Sequence, residues 1–117
     1  MEAQGIIDQK TYYELKDLMG SDYVGEIIDT YIQETGVLIQ QLQQALGAGD
    51  SISFGRLAHS IKSSSASLGA LVFSQQAREM EMMGKANDLA LAYLQLERLS
   101  VDYLDVKQTL EALRNEP

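Results

Sequence analysis

The chain has 117 residues, with seventeen Asp and Glu against nine Lys and Arg, a formal net charge of -8, one histidine and no cysteine. This length allows one domain with a single core, and the missing cysteines and lone histidine argue against a disulfide framework or a metal site built from thiolates or several histidines. The acidic balance disfavours nucleic-acid binding, and the lack of a cationic leader or of about 18 consecutive apolar residues predicts a cytoplasmic protein without a membrane segment.

The spacing of the apolar residues, and the positions of proline and glycine, predict a chain of helices joined by short turns. The one proline stands at the end, and most glycines interrupt runs in which apolar residues recur every three or four positions. This pattern predicts five helices, at residues 8–19, 22–46, 51–68, 70–85 and 88–114. Because the connections are short, neighbouring helices should run antiparallel. The predicted fold class is all-α, an antiparallel up-down-up-down four-helix bundle with an additional short N-terminal helix.

The first helix should lie across the others. Asp8 can cap it, and Ile7 and Tyr12 have the spacing of a hydrophobic staple. The rest of its apolar side is Leu15, Leu18 and Met19.

The last helix has the most regular pattern and follows a cap at Asn87 or Asp88. Its predicted core residues are Leu89, Ala92, Leu96, Leu99, Tyr103, Val106, Leu110 and Leu113. A continuous seam of this kind should face other helices.

The third helix carries the only histidine. Asp50 can cap its start, and Gly69 is placed as the residue that ends it. At about 100° per residue, the stripe predicted to face the core is Phe54, Leu57, Ile61, Ser64 and Leu68. His59 falls on the opposite side, so we expect its imidazole to face outward.

The neighbours of His59 on that outer face are small or basic: Gly55, Arg56, Lys62, Ser63 and Ala66. A solitary histidine on a helix is most often a solvated or packed residue without a chemical role. Lys62, one turn after His59, could pair with an anion held on the imidazole, or it could be an ordinary solvated charge. Gly55 and Ala66 point away from the predicted core, so close helix packing explains them poorly.

These residues carry a family resemblance. The segment HSIKSSSASLGA, residues 59–70, resembles the signature H-x-L-K-G-S-S-x-x-L-G-A of histidine-containing phosphotransfer (Hpt) domains. Residues 77–81 (AREME) and 84–88 (GKAND) resemble the next helix and turn of that family. The clearest departure is Ser63, where the family usually has glycine; its hydroxyl could donate a hydrogen bond to a phosphoryl oxygen.

The resemblance implies a relay without kinase activity of its own. His59 would accept a phosphoryl group from a receiver-domain aspartate and pass it to the aspartate of another receiver, which would contribute Mg²⁺, so no cofactor or metal is expected on this chain. Lys62 would offset the phosphoryl charge. Glu81 would hold the other imidazole nitrogen, so that the outer nitrogen is the nucleophile.

The resemblance also implies a docking surface for the receiver, formed by Gly55, Arg56, Ser63, Ala66 and Lys85. On the fourth helix, Glu81 and Lys85 lie to one side of the apolar line Phe73, Ala77, Met80 and Gly84. The two could equally be an ordinary i,i+4 surface pair. The apolar residues of the first helix could belong to the docking surface or simply close the end of the bundle.

The implied partners are receiver domains of response regulators, a hybrid sensor histidine kinase, or both, and we expect a monomer. One alternative is a helical adaptor in which His59 is incidental. Another is an enzyme that uses His59 as an acid or base, which the absence of a nucleophile elbow or P-loop disfavours. A third is the excised phosphotransfer domain of a larger kinase, although the start at Met1 and the capped helices favour a free-standing protein.

Overall fold

Five helices make up most of the computed structural model, which describes residues 5–116. They are α1 (Gln9–Met19), α2 (Ser21–Gly47), α3 (Ser51–Ser67), α4 (Leu71–Lys85) and α5 (Ala92–Arg114). Within the described residues there is no strand. α2 packs on α3 and α5, and α4 packs on the same two helices, so the four long helices form a closed ring. Short connections reverse the chain between neighbours, which confirms the predicted all-α bundle.

α1 covers one end of this bundle, as expected. The Asp8 carboxylate caps α1 by accepting the Thr11 backbone N–H at 3.1 Å, and Ile7 and Tyr12 are both buried. The backbone N–H of Asp8 also donates to the Gly69 carbonyl at 2.7 Å. This bond ties the start of α1 to the turn between α3 and α4.

The apolar side predicted for α1 is only partly correct. Leu15 packs partly buried against the core, whereas Leu18 is 79 % exposed and Met19 is also exposed. The first turns of α1 thus supply its buried side chains, and the apolar residues of its last turn face solvent.

The buried apolar residues form a single core. The apolar seam predicted for α5 is confirmed: its buried residues in this helix are Ala92, Leu96, Leu99, Val106, Leu110 and Leu113, and Leu89 and Tyr103 are partly buried. The predicted apolar line of α4, from Phe73 to Gly84, is buried as well. No helix among residues 5–116 is long and apolar enough to cross a membrane.

The start of α5 differs from the prediction. Asn87 has a positive φ of 53°, and the Asp88 carboxylate accepts the Ala90 N–H at 3.2 Å. These residues close a separate turn, because a left-handed residue cannot continue a helix. The helix therefore begins at Ala92 after Leu91, and the prediction that Asn87 or Asp88 caps it is wrong.

The face of α3 that packs in the core differs from the predicted one. Its buried face consists of Phe54, Gly55, Ala58, Ile61 and Ser65, followed by Leu68 just beyond the helix. Leu57 is only half-buried and Ser64 is exposed. The reason is that α3 packs on both α2 and α4. Close packing on two helices places small side chains in the buried face and leaves Leu57 at its edge. The expectation that Gly55 points away from the core is wrong.

Two glycines with positive φ provide a test of how α1 is held. Gly69 has a φ of +93°, and an added Cβ would lie 2.8 Å from the Asp8 carbonyl oxygen. Gly49 has a φ of +67° and open space around it. We expect Gly49→Ala to lower the free energy of unfolding by about 1 kcal/mol through backbone strain alone, and Gly69→Ala by roughly twice that or more, because it also displaces α1. Urea unfolding followed by circular dichroism measures both; equal losses would show that the contact with Asp8 contributes nothing.

Candidate functional site

His59 lies at the middle of α3 with its imidazole in solvent. The neighbouring buried positions, Ala58 and Ile61, face the core and so turn His59 outward. Its side chain is 56 % exposed. The outward orientation expected from the sequence is therefore present in the structure.

Glu81 approaches the imidazole from α4. It is one of the buried polar residues of the bundle, only 5 % exposed. Its Oε2 lies 2.8 Å from His59 Nδ1. An ionised carboxylate only accepts hydrogen bonds, so the proton of the neutral imidazole is assigned to Nδ1. This tautomer leaves Nε2 with a free lone pair on the solvent side of the ring.

Two lysines complete the surroundings of the same carboxylate. Lys62 Nζ donates to Glu81 Oε1 at 2.8 Å, and Lys85 Nζ lies 3.4 Å from Oε2. Glu81 and Lys85 are thus not an ordinary exposed pair, since Glu81 is buried and its shorter contacts are with α3. One carboxylate gathers His59, Lys62 and Lys85 at the surface between α3 and α4.

The ionisation of Glu81 follows from these partners. Its hydrogen bond with Lys62 lowers its pKa most, and the bonds with His59 and Lys85 act in the same direction. Burial opposes them by raising the pKa, but the hydrogen bonds prevail and the pKa falls to about 2. The carboxylate is therefore charged at neutral pH.

A groove of about 520 Å³ opens beside the imidazole, between α3 and α4. Of the predicted docking residues, Gly55, Arg56 and Lys85 line it together with His59. Ser63 is exposed and Ala66 half-buried, one and two turns further along α3, and they do not line this groove. The predicted docking set is thus divided between the groove and the later turns of α3.

Three contributors to the site were not singled out from the sequence as site residues. Ile52 is exposed and forms part of the groove. The Ser74 hydroxyl donates to the Lys62 carbonyl oxygen at 2.8 Å, which links α4 to α3. Gly84 packs directly on Gly55. Only Gly84 had a signal in the sequence, as a glycine on the apolar line of the fourth helix.

A metal site is not formed by the described part of the chain: no three or more His, Cys, Asp or Glu side chains in residues 5–116 are grouped so that they could hold an ion. What the arrangement offers instead is one exposed imidazole nitrogen surrounded by cationic side chains.

The low pKa of Glu81 predicts a pH-dependent contribution to stability. A carboxyl group whose pKa falls from 4.5 in the unfolded chain to about 2 in the folded protein stabilises the fold fully above pH 4.5, and this stabilisation is lost as the pH falls towards 2. We expect the difference in unfolding free energy between the wild type and Glu81→Gln to shrink over this range.

Urea unfolding at a series of pH values between 7 and 2 would measure this difference. Glu79→Gln, which removes an exposed carboxylate from the same helix, is the matched control. A difference between the wild type and Glu81→Gln that does not change with pH would contradict the assignment of Glu81 as a stabilising buried anion.

Comparison with known proteins agrees with this geometry. The Hpt domain family model matches residues 26–116. The chain is 30 % identical to the phosphorelay protein LuxU of Vibrio harveyi over 84 residues, which cover 72 % of this chain and 74 % of LuxU. It superimposes on the crystal structure of histidine-containing phosphotransfer protein B (HptB) from Pseudomonas aeruginosa PAO1 with a TM-score of 0.88 and 24 % identity, over 93 % of this chain and 94 % of HptB.

The likeness to HptB concerns the fold, whereas the family match extends from within α2 to the end of α5 and contains both His59 and Glu81. Taken together, the family match, the similarity to LuxU and the helical bundle show that the chain belongs to the Hpt domain family and has a histidine phosphotransfer function.

Proposed function

We propose that His59 is the phosphoryl acceptor, and that it takes the group from the aspartyl phosphate of one receiver domain and passes it to the aspartate of another. The observation that carries this proposal is the bond from His59 Nδ1–H to Glu81 at 2.8 Å. It leaves Nε2 unprotonated on an exposed side chain, which is what a nucleophile that must reach another protein requires.

The transfer forms an Nε2–P bond while the P–O bond to the aspartate breaks and the carboxylate leaves. The imidazole keeps its proton on Nδ1 and gains positive charge as Nε2 bonds to phosphorus. The buried Glu81 carboxylate, already hydrogen-bonded to that proton, stabilises the developing charge. The receiver would supply Mg²⁺ and its own aspartate, and transfer to the second receiver is the reverse of the first step.

The cationic surroundings favour an incoming phosphoryl group. Arg56, Lys62 and Lys85 are three of only nine Lys and Arg in a chain with a net charge of -8, and all three lie near His59. Lys62 is partly exposed and holds Glu81. Its flexible ammonium can turn towards a phosphoryl group on Nε2 and offset part of the negative charge.

Receiver docking would cover the groove beside His59 and the small residues that follow it on α3. Gly55, Arg56 and Lys85 belong to the groove, and Ser63 and Ala66 would form the continuation of this surface. Since His59, Glu81, Lys62 and Lys85 all belong to one chain, the site is complete in a monomer, which we propose as the acting form.

Substitution of the histidine tests the proposal. A receiver domain charged with labelled acetyl phosphate should transfer the label to this protein in an acid-labile, alkali-stable form, as expected for phosphohistidine. His59→Gln should abolish this label without changing the circular dichroism spectrum, because the side chain is exposed. Gln108→Ala, on the outer side of α5, is the control. If His59→Gln is labelled as strongly as the wild type, His59 is excluded as the acceptor. If the wild type binds the receiver but takes up no label, the adaptor alternative is favoured.

Lys62 should matter for transfer more than for binding. Lys62→Ala removes a charge-assisted hydrogen bond next to the acceptor, and we expect the transfer rate to fall roughly 10-fold. Receiver affinity should change little, because the side chain is only partly exposed and is turned towards Glu81.

Rapid-quench kinetics measures the transfer rate and titration calorimetry the receiver affinity. As a control, Lys107→Ala removes a lysine of α5 that does not line the groove beside His59. If Lys62→Ala transfers at the wild-type rate, then Lys62 is an ordinary surface charge.

A further inference from the structure

The closest approach of α3 and α4 occurs at Gly55 and Gly84. A Cβ added to Gly84 would lie 2.6 Å from the Cα of Gly55, 2.7 Å from its nitrogen and 2.7 Å from the carbonyl oxygen of Ser51. All three atoms belong to the backbone, so a side chain at Gly84 could be accommodated only if one helix moved. A Cβ on Gly55 would meet its nearest atoms at an ordinary 3.5 Å. Gly84 is therefore the residue whose missing side chain sets the distance between the helices.

This contact lies one helical turn from the site. Gly84 follows Glu81 by three residues on α4, and Gly55 precedes His59 by four on α3. On the other side of the site, the Ser74 hydroxyl donates to the Lys62 carbonyl oxygen at 2.8 Å. Glu81 therefore lies between two places where α4 contacts α3, at Gly55 and at the Lys62 carbonyl.

The distance between α3 and α4 affects the hydrogen bond between His59 and Glu81 more than the one between Lys62 and Glu81. The imidazole has only two rotatable bonds and cannot follow a carboxylate that withdraws, whereas the long lysine side chain can. A Cβ on Gly84 would lie 2.6 Å from the Gly55 Cα, and ordinary contact begins at 3.4 Å, so α4 would have to move away from α3 by about 1 Å. A movement of this size would lengthen the 2.8 Å bond between His59 and Glu81 beyond the range of a hydrogen bond. The imidazole would then lose the partner that fixes its tautomer.

We propose that Gly84 is a positioning residue for phosphotransfer, because its lack of a side chain lets α4 come close enough to α3 for Glu81 to hold the Nδ1–H of His59. Gly84 acts only through Glu81 and His59. The inference rests on the proposed function in one respect, that Nε2 of His59 is the nucleophile.

Gly84→Ala tests this proposal with a readout that needs no receiver. The nitrogen chemical shifts of His59, measured by NMR at about pH 8 where an ordinary imidazole is neutral, report which nitrogen carries the proton. We expect the Nδ1–H tautomer to predominate in the wild type and to give way to the Nε2–H tautomer in Gly84→Ala. The rate of transfer from a phosphorylated receiver should fall roughly 10- to 100-fold, as for loss of a positioning contact.

Two controls separate positioning from a general loss of stability. Gly47→Ala adds the same methyl group at the end of α2, where nothing lies within 4 Å. Ile28→Val weakens the fully buried core of α2 away from the site. Both should keep the wild-type tautomer and transfer rate. If Gly84→Ala keeps the Nδ1–H tautomer, or if Ile28→Val loses it to the same extent, the proposal is overturned.

A second variant decides the question if Gly84→Ala does not fold. Glu81→Asp withdraws the carboxylate by one methylene and adds no bulk between the helices. Loss of the Nδ1–H tautomer in this variant would show that the reach of the carboxylate is limiting, as proposed, and its retention would overturn the proposal. These outcomes are independent of labelling: failure of wild-type His59 to take up phosphate would contradict the proposed function without altering the tautomer result.

Discussion

The interaction on which the site depends is the burial of the Glu81 carboxylate between α3 and α4. Burial of an anion carries a large desolvation cost, which only close partners can offset. Here Lys62 and His59 each approach a different oxygen at 2.8 Å, and Lys85 adds a third, longer contact at 3.4 Å. The same contacts that keep Glu81 ionised also join α4 to α3. Stability and chemistry are therefore coupled at one residue.

This arrangement explains how an Hpt domain can serve as a relay with few groups of its own. The chain presents one nitrogen on a rigid helix, fixes the proton on the other nitrogen and surrounds the ring with positive charge. In the proposed function, the remaining chemistry would belong to the receiver. Since the imidazole is exposed, the enclosure needed to exclude water would form only when the two proteins meet.

The orientation of α3 depends on contacts on its buried side. The hydroxyls of Tyr31 and Ser65 are joined at 2.6 Å in the interior, and burial raises the pKa of Tyr31 to about 12, so the phenol stays neutral. This bond satisfies Ser65 within the core and places it against α2. Gly55 meets α4 on the adjacent side of the helix. Together these contacts determine the rotation of α3 about its axis and hence the direction of His59.

The sequence by itself determined the five helices, the bundle and the outward position of His59, because periodicity, caps such as Asp8 and Asp50, and the turn at Gly69 are local properties of the chain. Helical spacing also placed Lys62 one turn from His59, whereas the role of Glu81 was indicated only by the resemblance to the family. Tertiary structure decided that Ala58 and Ser65, rather than Leu57 and Ser64, face the core. It also decided that Glu81 is buried against His59 and that Gly84 sets the approach of α4. These features depend on the separation and rotation of two packed helices, and the periodicity of a single helix contains neither quantity.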